Sequence, residues 1–179
     1  MGDRSPDPVD ESQEYQRHLL GLLGDDDPAH VQAATLGEWH TMVGLAAANL
    51  HSAPADGEWS VFGCLAHAVD AEIVMSGRYR WIVAHDEPPL LGYDQDLWVQ
   101  RLHAGRETEP VVDLLASFAA LRQANVAMWR RSSYAERARV GLHGERGPES
   151  YDLSFRMIAG HDHFHLRQAR ETLDAVSND

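Results

Sequence analysis

The sequence contains no lysine, and its fifteen basic residues, all arginines, face 28 acidic residues. The formal net charge at pH 7 is therefore −13. Because an acidic surface is repelled by phosphate backbones and by anionic lipids, we expect the protein to bind neither nucleic acid nor membranes.

Cysteine is nearly absent as well, since Cys64 is the only one. No intramolecular disulfide can form, and we expect Cys64 to be a small core residue. No apolar run approaches the roughly 20 residues that cross a bilayer, and the start MGDRSPDPVDESQEY lacks the basic and apolar regions of a signal peptide. These absences predict a cytoplasmic protein.

Strict apolar/polar alternation, the pattern of half-buried strands, is also nearly absent, whereas apolar residues recur at helical spacing. The polar residues 1–8 predict a disordered tail, and 9–179 a single domain. The periodicity predicts long helices over about 10–23, 28–50, 61–85, 109–132 and 151–175, a short helix through Trp98 and Leu102, and a turn-rich connector HGERGPES at 143–150. Four long amphipathic helices favour an all-α four-helix bundle with short extra N-terminal and linker helices.

The last predicted helix carries three histidines in the stretch AGHDHFHLRQ, residues 159–168. On a helix, His161 and His165 lie about 40° apart around the axis and one turn apart along it. His163 points about 160° to 200° away from both of them. The spacing allows His161 and His165 to share one metal ion and leaves His163 solvated. Because eleven histidines give such a spacing readily by chance, the hypothesis needs a third ligand.

His67 is the best candidate for that ligand, because it lies in mid-helix on the face that the apolar pattern turns toward the core. The alternative is a buried histidine that hydrogen bonds within the core. Asp70, one turn on, could orient an imidazole by accepting its second N–H, or it could be a solvated helix residue.

Three segments resemble segments of the DinB/YfiT-like superfamily, in matching order and spacing. GEWSVFGCLAHAVDAE, from residue 57, resembles its Trp-Ser-x6-His-x4-Glu-like segment. PPLLGYDQDLW resembles its YfiT-type linker, and GHDHFHLRQ resembles its closing histidine helix. The resemblance spans about 57–170 and implies a four-helix bundle in which His67, His161 and His165 bind a divalent metal, with zinc or nickel as the expected ion. It also implies a homodimer.

Several further residues are candidates for the surroundings of this site. Tyr93, Asp94 and Trp98 lie in the linker and either wall a pocket or pack against the helices. Arg78 follows His67 by about three turns, so it either holds an anionic group of the substrate or forms a surface salt bridge. His143 lies in the connector, where a loop histidine is either functional or merely exposed.

The resemblance implies a metal-dependent enzyme that acts on a small molecule. One reading is an S-transferase that joins a low-molecular-weight thiol, such as mycothiol or bacillithiol, to an electrophile. The second is a metal-dependent hydrolase, in which the bound species is water. Because no free carboxylate is evident beside the histidine pair, transfer is favoured. A non-catalytic metal-binding bundle or small-molecule receptor is a third reading.

Overall fold

The computed structural model describes residues 6–7, 11–104 and 110–177. Seven α-helices are present in this part of the chain: α1 Ser12–Leu23, α2 Pro28–Leu45, α3 Val61–Ala84, α4 Gln95–Trp98, α5 Val111–Arg131, α6 Tyr134–Arg137 and α7 Tyr151–Ser177. A π-helical turn, Val99–His103, continues α4. The three strands are β1 Pro89–Leu90, β2 Val140–His143 and β3 Gly147–Ser150. Of the predicted tail 1–8, only residues 6 and 7 lie within the described residues.

The four longest helices form a bundle, which confirms the predicted fold class. Helix α2 packs against α5 and α7, and α3 packs against the same two helices. As a result α2 and α3, although consecutive long helices in the chain, lie diagonally across the bundle. Helix α1 packs along α7 as an additional N-terminal helix.

Side-chain caps explain where the bundle helices begin. The carboxylate of Asp27 accepts hydrogen bonds from the backbone N–H groups of Ala29 and His30, at 2.7 and 3.0 Å, and so starts α2. The hydroxyl of Ser60 accepts from the N–H of Gly63 at 3.1 Å and starts α3 at the predicted position. Helix α2 ends at Leu45, five residues before the predicted end, and turns follow it.

The turn-rich connector predicted at 143–150 contains strand β3 and the end of β2, and these strands form a small sheet with β1. Strands β2 and β3 pair antiparallel, with His143 opposite Gly147, and β1 pairs parallel with β2. Helical and strand periodicities cannot be read in segments of two to four residues, and Gly147 and Pro148 are residue types depleted from strands. Pro148 is tolerated because β3 lies at an edge of the sheet.

Two apolar layers fill the bundle. One contains Trp39, Leu65, Phe118 and Leu166, and it also contains the fully buried Cys64, as expected. The second is built largely from aromatic rings, among them Tyr79, Trp129, Tyr151 and Phe155, with the rings of Trp129 and Phe155 stacked at 4.2 Å. Between the two layers, α7 carries the buried His161 and Asp162, and α3 carries the buried Asp70 and Glu72. His67 lies within the first layer, beside Leu65 and Ala68.

Helix α5 is, within the described chain, the one helix long and apolar enough to cross a membrane by length and composition. In this fold it is a bundle helix, because it packs against α2 and α3 and buries Leu115 and Phe118. It also buries the charged side chain of Arg122.

Gly160 allows α1 to approach α7 closely. A Cβ atom at this position would overlap the carbonyl oxygen of Leu19 and would lie 2.6 Å from its carbonyl carbon. Since backbone atoms cannot move aside cheaply, we expect Gly160→Ala to lower the free energy of unfolding by about 1–3 kcal/mol, despite the better helix propensity of alanine. Urea denaturation measures this loss.

Gly37→Ala is the matched control, because Gly37 is also helical and a Cβ there meets nothing within 4 Å. We expect this control to be neutral or to raise stability by up to about 1 kcal/mol. Equal effects of the two substitutions would contradict the assigned packing of α1 on α7.

Candidate metal centre

The structure brings His67 of α3 together with His161 and His165 of α7. One ligand nitrogen from each ring lies within 4.8 Å of the others, and the Nε2 atoms of His67 and His161 are 2.9 Å apart. The three residues are 1%, 7% and 2% exposed. We call this group the histidine cluster. His163 is not part of it and is partly exposed, as the helical phase predicts.

A hydrogen bond fixes the tautomer of His165. Its Nδ1 lies 2.8 Å from Oε1 of Gln168, and an amide oxygen can only accept, so Nδ1 carries the proton. The lone pair of the neutral ring is then on Nε2, which is buried and has no partner within the described chain. A buried imidazole oriented at one nitrogen and free at the other is the usual arrangement of a metal ligand. The histidine cluster therefore fits a divalent metal.

The electrostatics of the cluster keep its rings neutral, which is the form that binds metal. Burial, with the charge of His165 as a smaller cause, lowers the pKa of His67 well below its ordinary value. Burial followed by the two neighbouring histidines does the same to the pKa of His161. Burial lowers the pKa of His165 to about 4, against a smaller opposing effect of Gln168.

Trp59 covers the cluster. Its ring centroid lies 5.0 Å from that of His67 and 5.9 Å from that of His165, nearly parallel to the latter. Trp59 immediately precedes the N-cap of α3, so the start of this helix also fixes the aromatic cover. The sequence signal for this role was the Trp-Ser pair at residues 59 and 60.

Two cavities flank the histidine cluster. The first, of about 350 Å³, is lined by His67 and His161 and extends along α3 to Arg78. The second, of about 580 Å³, is lined by His165, Trp59 and Gln168. Four residues line both cavities: Asp7, Tyr15, Gln95 and Asp96. The cluster is thus reached from two sides.

Asp70 does not orient any of the three clustered histidines. Its carboxylate pairs with Nε2 of His103 at 2.9 Å, on the π-helical turn of the linker. His103 is mostly buried between Asp70 and Phe62. The linker folds back on α3, a tertiary contact that has no local sequence signal.

The linker candidates have distinct positions. Tyr93 lines the first cavity, with its ring 6.5 Å from that of His67. Asp94 lines the rim of the same cavity and caps α4 by accepting from the N–H of Leu97 at 2.9 Å. Trp98 packs on Tyr93, with ring centroids 4.6 Å apart, and so supports the cavity wall from behind.

Arg78 and His143 meet at the end of the first cavity that is remote from the cluster. Arg78 is buried rather than part of a surface salt bridge. His143, predicted to lie in a loop, is buried at the end of β2, because the connector forms a hairpin that packs on α3. The side-chain nitrogens of the two residues approach to 3.4 Å.

A buried ionic group that the sequence did not reveal adjoins the cluster. Arg122 of α5 donates two hydrogen bonds to the carboxylate of Asp162 and lies 3.0 Å from the carboxylate of Glu72. Asp162 directly follows His161 in α7, and Glu72 lies on α3. These three side chains, the polar core triad, tie together the helices that carry the histidines.

Comparison with known proteins identifies the class to which this bundle and its histidine cluster belong. The family model of the DinB superfamily matches residues 31–169, and the chain therefore belongs to that superfamily. No curated protein matches the chain at comparable stringency.

Among solved structures, the chain is similar to YfiT from Bacillus subtilis, with 16% sequence identity and a TM-score of 0.74. The match covers 99% of this chain and 95% of that one. YfiT is described as a probable metal-dependent hydrolase with an unusual four-helix bundle topology. At this identity, the likeness establishes the shared fold.

Proposed function

We propose that this protein is a metal-dependent S-transferase that joins a low-molecular-weight thiol, of the mycothiol or bacillithiol type, to an electrophilic small molecule. His67, His161 and His165 hold a divalent metal, with zinc or nickel as the expected ion. When bound, the ion would act as a Lewis acid that lowers the pKa of a thiol, so that the thiolate is present at neutral pH.

The observation that carries the proposal is the presence of two cavities at one histidine cluster. His67 and His161 face the first cavity, whereas His165 faces the second. A transferase must hold two organic substrates against the same reacting atom, and holding both there replaces a bimolecular encounter in solution. A hydrolase needs one such space and a water molecule.

The chain's own groups also favour transfer. Cys64 is fully buried, and burial raises its pKa to about 12, so the protein supplies no thiolate of its own. Among the described residues, no carboxylate joins the histidine cluster. Hydrolysis requires a general base that takes a proton from water, whereas a thiol, which is more acidic than water, loses its proton more readily.

The remaining side chains orient the histidine ligands, form the walls of the cavities and exclude water from the cluster. Trp59 shields the cluster on the side of the second cavity. Gln168 holds the ring of His165 in the tautomer that directs its free nitrogen toward the cluster. Tyr15 and Tyr93 contribute to the walls of the first cavity.

Metal-dependent hydrolysis is the second candidate, favoured by the description of the similar protein YfiT as a probable hydrolase. It uses the same three histidines. The two functions differ in the species that attacks the substrate, and they can be separated in one assay.

The test is anaerobic incubation of the zinc-loaded and nickel-loaded protein with candidate thiols and a generic electrophile such as monochlorobimane, with conjugates quantified by mass spectrometry. We expect conjugation at least about tenfold faster than with metal-free protein. In parallel, the same preparations are offered a panel of esters and amides without thiol.

The outcomes separate the readings. Hydrolysis products without conjugates would overturn transfer in favour of hydrolysis. Neither product, in a protein that binds metal stoichiometrically, would indicate the non-catalytic bundle or receptor.

A further inference from the structure

Arg78 is a buried cation that pairs with no carboxylate among the described residues. Its side chain is 5% exposed, and its described contacts are the carbonyl oxygen of Leu91, the sulfur of Met75 and the ring of His143. Its Nε is buried with no partner within the described chain. Since burying an unpaired charge is costly, a guanidinium in this position indicates that an anion completes the site.

The tautomer of His143 supplies a second donor at the same point. Its Nδ1 faces the backbone N–H groups of Glu145 and Arg146, at 3.2 and 3.4 Å, and therefore accepts. The proton of the neutral ring is then on Nε2, the atom 3.4 Å from the guanidinium of Arg78. Two donors that face each other cannot bond to each other. They can share an acceptor placed between them.

Of the two arginines that line the first cavity, Arg146 has a carboxylate partner and Arg78 has none among the described residues. Arg146 is already paired with the buried carboxylate of Glu149, at 2.8 Å. The half-buried Asp7 lines this cavity and also the second one. Asp94, Asp96 and Glu145 lie at the rim of the first cavity. These three rim residues are exposed, so solvent and salt screen them far more than they screen the buried Arg78. A single unpaired cation matches a monoanion, such as a carboxylate, better than a phosphate dianion.

An apolar path connects this end of the cavity to the histidine cluster. Ala71, Val74 and Met75 lie between His67 and Arg78 on one face of α3, and all five residues line the first cavity. The two ends are eleven residues apart on the helix, a rise of about 16 Å. The cavity therefore suits an elongated molecule with an apolar stem.

We propose that the substrate of the first cavity is a small carboxylate whose anionic end is held between Arg78 and the Nε2–H of His143, with its apolar stem along α3 and its reactive end at the histidine cluster. This inference extends the proposed function, because it names the substrate class for the same site. Its test measures binding alone and so does not depend on any turnover.

The experiment compares 5-phenylpentanoate with its neutral amide by isothermal titration calorimetry, using the full-length protein with and without zinc. We expect the carboxylate to bind wild type at least about tenfold more tightly than the amide in both states. Arg78→Met should bring the ratio of dissociation constants close to one. Arg170→Met, which removes an exposed arginine from α7, should leave the ratio unchanged.

Each outcome decides the proposal. A wild-type ratio near one overturns it without any variant, even if Arg78→Met does not fold. A ratio that persists in Arg78→Met, or that appears only with zinc, would show that the metal anchors the carboxylate, which overturns this inference but leaves the transferase proposal standing. Conversely, an Arg78-dependent preference in a protein that forms no conjugates supports the carboxylate site while the transferase proposal fails.

Discussion

Replacing His161 with alanine is expected to abolish metal-dependent turnover while the protein stays folded. His161 is one of the three residues of the histidine cluster, with its Nε2 2.9 Å from the Nε2 of His67, and its loss leaves two imidazoles for the ion. Removing a residue that only supports a metal ligand typically costs up to about 100-fold in activity. Because His161 is itself a proposed ligand, we expect turnover to fall by more than that. The two apolar layers that hold the bundle do not include this side chain.

Loss of the metal should also lower the stability of the folded protein, because a ligand that binds the native state stabilises it by mass action. Metal that binds only the native state at about 100 times its dissociation constant adds about 2.7 kcal/mol, so chelation of wild type should lower its melting temperature by roughly 5–10 °C. His161→Ala should melt close to chelated wild type. Circular dichroism melts and metal content measured by mass spectrometry check both points.

His163→Ala is the matched control, since His163 lies two residues away on the same helix but outside the cluster. It should keep its metal content and its turnover. Outright unfolding of chelated wild type at room temperature would indicate a structural metal. A verified activity that survives in His161→Ala would contradict a catalytic one.

Replacing Arg122 with methionine is expected to cost about 3–5 kcal/mol of unfolding free energy at pH 7, the usual effect of removing one partner from a buried ion pair. The substitution leaves the carboxylates of Glu72 and Asp162 buried without their shared cation. Because the polar core triad joins α3, α5 and α7, we also expect weaker metal binding by the histidines on α3 and α7.

The pH dependence gives this prediction a distinct signature. Burial raises the pKa of Glu72, and Arg122 is the largest opposing cause, so its removal raises that pKa further. The folded variant then takes up a proton at a higher pH than the unfolded chain does, so its stability must rise as the pH falls. Urea denaturation should show a smaller loss at pH 5 than at pH 7.

Arg170→Met controls for the loss of one positive charge, because Arg170 is exposed. Its effect should stay within about 0.5 kcal/mol at both pH values. A double variant, Arg122→Met with Glu72→Gln, should recover part of the stability at pH 7, since one uncompensated buried charge is removed. No recovery would mean that Arg122 acts by packing alone.

Local physics in the sequence was sufficient for the existence of the long helices and for the phase of the histidines. The 3.6-residue period places His161 and His165 on one side of α7 and His163 elsewhere, and Ser60 caps α3 by a contact within one turn. These features depend on residues three or four positions apart, which the sequence displays directly. The helical pattern made His67 a candidate third ligand, but its association with the pair on α7 rested on the resemblance to a family, since nothing local joins residues 94 positions apart.

Only the tertiary structure decided what surrounds the cluster. The pairing of Asp70 with His103, the burial of His143 behind a hairpin and the ion pairs of Arg122 each join residues from different elements. Their geometry depends on how helices pack and how the linker folds back, and the same residue types at the same spacings would otherwise be solvated. The sequence by itself determined which side chains α3 and α7 present to the core. The packing of the other elements against them determined which cavities those side chains face, because a cavity is a property of several surfaces at once.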